Sequence, residues 1–134
     1  MKLKHILLID DNDMDNYISN YIINKNNVTE KITMKTSAID ALEYLNTLQT
    51  NPKEFPDLIF LDIRMPVMDG FDFLEEFIKF PQAINKQCDV VILSSSNHQK
   101  DIDRALQYSV VKKYFTKPLE LSMLEDLQCF SLKI

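Results

Sequence analysis

The chain has 134 residues, enough for one domain with one core, and hydrophobic residues make up 46% of it. Its formal net charge is −5, and its longest basic cluster is Lys112-Lys113 with Lys117 nearby. Nucleic acid and anionic membrane are therefore poor partners.

No stretch approaches the length of a membrane span. The apolar run near the N-terminus is short and ends in Asp10 and Asp11 without a cleavage site, so it is no signal peptide. Cys88 and Cys129 are too few and too far apart for a disulfide framework or a zinc site. Two ordinary thiols in a reducing compartment, the cytoplasm, are expected instead.

Residues 5–9 form an apolar run stopped by acids, which predicts a buried parallel strand. Met14, Tyr17, Ile18, Tyr21 and Ile22 then recur at helical spacing and predict an inward-facing stripe, closed at residues 24–27. A second strand is expected over Ile32 to Thr36. Ser37 followed by Asp40 resembles a helix-start box, and Ala38, Ala41, Leu42, Leu45 and Leu48 continue with helical spacing.

Pro52 and Pro56 bracket a loop before a third apolar run, Leu58 to Leu61, ended by Asp62. After Pro66 and an Asp69-Gly70 turn, Phe71, Leu74 and Ile78 mark a third helix that stops before Pro81. Val90 to Leu93 form a fourth strand ending in Ser94, Ser95 and Ser96. A fourth helix, about Gln99 to Tyr108, would turn Ile102, Ala105 and Leu106 inward. Lys113 to Thr116 make a fifth strand, and a last helix carries Leu121, Leu124 and Leu127. Five β–α units in strict alternation predict an α/β fold: a parallel sheet with helices on both faces.

In an open parallel sheet the ligand site lies beyond the carboxyl ends of the strands. Here those ends read Asp10 and Asp11, then Asp62, then Ser94 and Ser95, then Lys117. If the first and third strands are neighbours, three carboxylates crowd together and either raise one another's pKa or require a cation. A hard divalent ion such as Mg²⁺ suits such oxygen ligands. Lys117 adds a compact positive charge on a flexible stem. Metal, ammonium and a carboxylate nucleophile are the parts that phosphoryl transfer needs.

The pair Asp10-Asp11, the segment DIRMPVMDG from Asp62 to Gly70, Ser94-Ser95 and Lys117-Pro118 together resemble the receiver domain of two-component response regulators over nearly the whole chain. The resemblance implies the strand order 2-1-3-4-5 and a single receiver domain over residues 1–134 with no output domain. It implies that Asp62 accepts a phosphoryl group from a sensor histidine kinase or a histidine phosphotransfer protein. Asp11 and Asp62 would bind Mg²⁺ directly with the backbone carbonyl of Arg64, and Asp10 would act through water. Ser94 and Lys117 would contact the phosphoryl oxygens, and Tyr114 matches the aromatic that swings inward on activation. Output would be docking onto another protein or relay to a second histidine.

Spacing and context disagree about the switch hydroxyl. Counting back from Lys117 selects Ser95, whereas the strand end at Leu93 selects Ser94, the preferred residue; an extra residue between the fourth helix and the fifth strand reconciles the two. His5 and His98 are isolated and carry no metal role, and Met65 and Met68 read as packing. The chain's only glycine is Gly70, so the loop over residues 108–111 lacks the glycine common in the family. Two rivals are a receiver-like interaction module that is never phosphorylated and an aspartyl-phosphate phosphatase. The second wants an acid where Arg64 stands.

Overall fold

The computed structural model describes residues 3–81 and 88–130, with side chains through Leu127. The elements run β1 (Ile6–Ile9), α1 (Asp13–Lys25), β2 (Ile32–Lys35), α2 (Ala38–Thr47), a 3-10 turn (Pro52–Glu54), β3 (Leu58–Leu61), α3 (Gly70–Phe77), β4 (Asp89–Ser94), α4 (Gln99–Leu106), β5 (Val111–Thr116) and α5 (Leu121–Phe130). All neighbouring strands pair in parallel, in the order β2-β1-β3-β4-β5. Fold class and strand order are as the sequence and its resemblance imply. Among the described residues no helix is long and apolar enough to cross a membrane.

Because side chains alternate along a strand, the sheet divides the core in two. Leu7, Ile9, Ile59, Leu61, Val90 and Ile92 meet α2, α3 and Ala105 of α4 on one face. Ile6, Leu8, Leu58, Phe60, Val91 and Leu93 meet Ile23 of α1 and Leu124 and Leu127 of α5 on the other. Under α3 the stacked rings of Phe73 and Phe77, with Phe55 and Phe80 against Phe77, fill the first face. Full burial of such a side chain contributes roughly 1.5–3 kcal/mol, which anchors α3 and the loop that precedes it.

Three helix faces differ from expectation. On α1 the predicted stripe divides: Met14, Tyr17 and Tyr21 are 64%, 64% and 54% exposed, while Ile18 is half-buried and Ile22 packs on the core. The buried positions are Asn16, Ser19 and Ile23. The reason is polar. Asn16 donates through Nδ2 to the Asp10 carbonyl at 2.9 Å, which turns the helix toward the end of β1, and Ser19 is small enough for close approach. On α4, Leu106 is exposed and Asp101 is buried beside Ala105. On α5, Leu121 is exposed, and Leu119 just before the helix is buried in its stead. The Asp69-Gly70 turn is a helix start: Asp69 caps α3 in a reciprocal box with Asp72. Ser37 caps α2 by accepting from the Asp40 amide. Cys88 is a free, buried thiol; Cys129 lies outside the described side chains.

At the opposite edge of the sheet, the buried His5 ring bonds Glu54 O through Nδ1 and Thr33 Oγ1 through Nε2, each at 2.8 Å. A carbonyl can only accept, so Nδ1 carries the proton and the neutral Nε2 accepts from Thr33. Burial lowers the His5 pKa, with Lys31 adding to the effect against the Glu54 carbonyl. The unfolded chain therefore binds this proton more readily than the folded one, and stability drops as pH falls below the ordinary value of 6.5. Urea titrations between about pH 7.5 and pH 5 are expected to show this loss in the wild type and a flatter pH dependence in His5→Gln. Parallel curves for the two proteins would contradict it.

Candidate acidic phosphoryl site

Four strand ends build the site. Asp10 follows β1 and stays in register because its amide bonds Lys35 O of the β2 edge. Asp62 follows β3, its amide bonded to Ile9 O at 3.0 Å, which seats it beside the end of β1. Ser94 closes β4 and is fully buried, whereas Ser95 is exposed. Lys117 follows β5, and its amide bonds Ser94 O at 2.9 Å. The peptide bond from Lys117 to Pro118 is cis.

The extra residue expected between the fourth helix and the fifth strand lies within β5 instead. The β4–β5 register jumps between Val90 and Val91: Val90 faces Val111 and Val91 faces Lys113. Lys112 is the extra residue, absorbed in a bulge, and Ser94 pairs with Thr116 next to Lys117.

Carboxylate oxygens of Asp10, Asp11 and Asp62 lie within 4.8 Å of one another. Neither Asp10 nor Asp11 caps α1; Asn12 does, accepting from the Asp15 amide, while Asp10 Oδ1 accepts from the Asn12 amide at 3.0 Å. The Lys117 ammonium reaches Asp10 at 2.6 Å, Asp15 at 2.7 Å and Asp62 at 3.5 Å. Asp15 escaped the sequence reading; its place in the first turn of a helix gave it a sufficient role already.

Burial pushes the Asp62 carboxyl up, and the Asp10 charge adds to this, against Lys117 and the Ser94 hydroxyl. Burial likewise raises Asp10, only partly offset by Lys117. Burial alone would lower Lys117, but bonds to Asp10 and Asp15 and the charge of Asp62 reverse that and raise it. Three carboxylates thus contact one ammonium, and Asp11 stands close to two of them.

Asp62 Oδ1 is buried and has no hydrogen-bond partner. A buried carboxylate oxygen left bare is costly unless a cation or proton meets it. An all-oxygen set with excess negative charge and a bare oxygen at its centre fits a hard divalent cation.

Gly70 sets the loop geometry. Its amide bonds Ile63 O at 2.8 Å, and a Cβ there would lie 2.6 Å from Asp62 O and 2.8 Å from Ile63 Cα. Only glycine lets the start of α3 press against the backbone of Asp62. Tyr114 packs on the core, and its hydroxyl donates to Ser96 O at 2.8 Å. The Arg64 side chain turns away from the acids to Asp101, at 2.5 Å.

Comparison with known proteins agrees with this geometry. The family model for the response regulator receiver domain matches residues 6–127. The two-component response regulator ARR17 of Arabidopsis thaliana is 33% identical, over 93% of this chain and 82% of its own. A two-component response regulator from Cytophaga hutchinsonii has a crystal structure that covers all of both chains at 31% identity, with a TM-score of 0.91. The Mn²⁺-bound form of response regulator Rcp1 shares the fold, with a TM-score of 0.75 at 24% identity over 97% of this chain and 95% of that one.

Removing the ammonium leaves Asp10, Asp15 and Asp62 without their shared counter-charge. Without divalent cation, Lys117→Met is expected to lose about 3–5 kcal/mol of stability at neutral pH. The loss should shrink toward pH 5, because carboxyls whose folded pKa rises gain protons on folding as pH falls. Denaturant unfolding of both proteins at the two pH values checks this; an equal loss at both would contradict it.

Proposed function

Because the chain belongs to the response regulator receiver domain family, we propose that it is a cytoplasmic phosphorylation switch whose acceptor is Asp62. Receiver domains of two-component response regulators serve phosphorelay signalling, bind Mg²⁺ at an acidic pocket and interact with histidine kinases or phosphotransfer proteins. The observation that carries the residue assignment is the buried, unpartnered Oδ1 of Asp62.

In this reading an Asp62 oxygen attacks the phosphorus of a phosphohistidine in line. The new O–P bond forms as the N–P bond breaks, and the imidazole leaves to take up a proton. Lys117 shifts from Asp62 to pair with a phosphoryl oxygen, and the Ser94 hydroxyl donates to another. Asp11 and Asp62, with the Arg64 carbonyl, would hold Mg²⁺, and Asp10 would act through water. The metal, when bound, neutralises charge on the transferring oxygens. Asp15, already on Lys117, keeps the ammonium at the site while Asp62 turns to its substrate.

The donor is a sensor histidine kinase or a histidine phosphotransfer protein. The exposed Met14 and Tyr17 support such docking: they share α1 with Asp15 and Asn16 and form a shallow groove with Met34. Phosphorylation then favours one of two coexisting conformers and switches docking onto an effector protein. That shift is bounded by the difference in contacts the phosphoryl group makes with the two; moving a population from 1:99 to 99:1 takes about 5.5 kcal/mol.

Intact mass after incubation with acetyl phosphate and Mg²⁺ tests the proposal. Wild type should gain one phosphoryl group, Asp62→Ala none, and chelation should abolish the gain. Absence of any gain in the wild type would refute the switch and favour an unphosphorylated docking module.

A further inference from the structure

The side chains of Arg64, Asp101 and Ser96 form a connected group that the phosphoryl-transfer reading leaves unused. Asp101 stands in the first turn of α4 and is 8% exposed. Its Oδ2 accepts from Arg64 Nη2 at 2.5 Å and from Ser96 Oγ at 2.6 Å. The Ser96 amide donates to Ser94 Oγ at 3.2 Å, and its carbonyl accepts the Tyr114 hydroxyl at 2.8 Å. One carboxylate oxygen thereby ties the loop after Asp62 to the loop after β4, and through Ser96 to both switch residues.

We propose that Arg64 and Asp101 are positioning residues: with Ser96 they latch the β4–α4 loop so that Tyr114 is held inside and Ser94 is aimed at Asp62 before any phosphoryl group arrives. The inference rests on the receiver reading above. Its physical content is threefold. The amide of Ser96 occupies an acceptor site of Ser94 Oγ, which leaves the hydroxyl proton for Asp62 or the group it carries. The Ser96 carbonyl is a fixed seat for Tyr114, whose ring already packs on the core. An Asp in the first turn would ordinarily serve the helix end; here its oxygen is committed to two donors from other segments, and His98, at the N-cap, supplies no side-chain cap.

The latch raises the fraction of chains already in the phosphoryl-binding conformer, and apparent affinity for a phosphoryl group scales with that fraction. Arg64, with its side chain 57% exposed, can be changed without disturbing the core. Asp101 is the more sensitive half.

The test uses beryllofluoride with Mg²⁺ as the phosphoryl mimic, titrated by fluorine NMR into the wild type, Arg64→Gln, Arg64→Lys, Asp101→Ala, Tyr114→Phe and the Asp101→Ala/Tyr114→Phe double variant. Asp101→Ala is expected to weaken binding about tenfold, as suits loss of a charged hydrogen-bond acceptor. Arg64→Gln should weaken it less, with Arg64→Lys recovering part of the loss. Tyr114→Phe should weaken binding in the wild type and add little once Asp101 is gone, because both act through Ser96. Wild-type affinity in Arg64→Gln and Asp101→Ala, or fully additive effects of Asp101 and Tyr114, would overturn the latch while leaving the receiver reading intact. Failure of the wild type itself to bind the mimic would overturn both.

Discussion

A single ammonium among carboxylates organises this protein. Lys117 leaves the end of β5, reaches over β4 and β3, and meets Asp10 and Asp15 on the far side at 2.6 and 2.7 Å. At an effective dielectric near 20, the Coulomb attraction at such distances is about 6 kcal/mol before desolvation, which offsets much of it. The long flexible stem makes the span possible, and the parallel strand order puts every partner at one edge. Yet one positive charge does not balance the acids it faces, and Asp62 keeps a bare buried oxygen. The imbalance leaves excess negative charge that a hard cation would offset.

The fold builds this site by bringing distant segments to rigid ends. Stacked phenylalanines beneath α3 fix the loop that starts at Asp62. Gly70 admits the backbone contact that no larger residue could. The buried Ser94 and Tyr114, which packs on the core, lie on the adjacent strands β4 and β5. Membership of the receiver family and the geometry of the site therefore point the same way.

Much of this was legible in the sequence because apolar runs that end abruptly in acids, hydroxyl or lysine can be read residue by residue. Asp10, Asp11, Asp62, Ser94 and Lys117 all stand where strand ends put them. What was not legible depends on rotation and loop path. In the stripe Met14, Tyr17, Ile18, Tyr21 and Ile22 only Ile22 packs on the core, and Met14, Tyr17 and Tyr21 face out, since a hydrogen bond from Asn16 helps decide how α1 sits. Asp15 and Asp101 look like ordinary first-turn acids, and only the three-dimensional path of Lys117 and of Arg64 gives them partners. The bulge at Lys112 was legible as an arithmetic misfit of one residue but not as a position.

The most direct measurement is chemical location of the phosphoryl group. After phosphorylation with Mg²⁺ present, borohydride reduces an aspartyl phosphate to homoserine, and peptide mapping then reads the position. Homoserine at position 62 alone is the expected result. Homoserine at Asp10, Asp11 or Asp15 would contradict the assignment of the acceptor, and a phosphorylated chain with no homoserine would contradict the acyl phosphate itself.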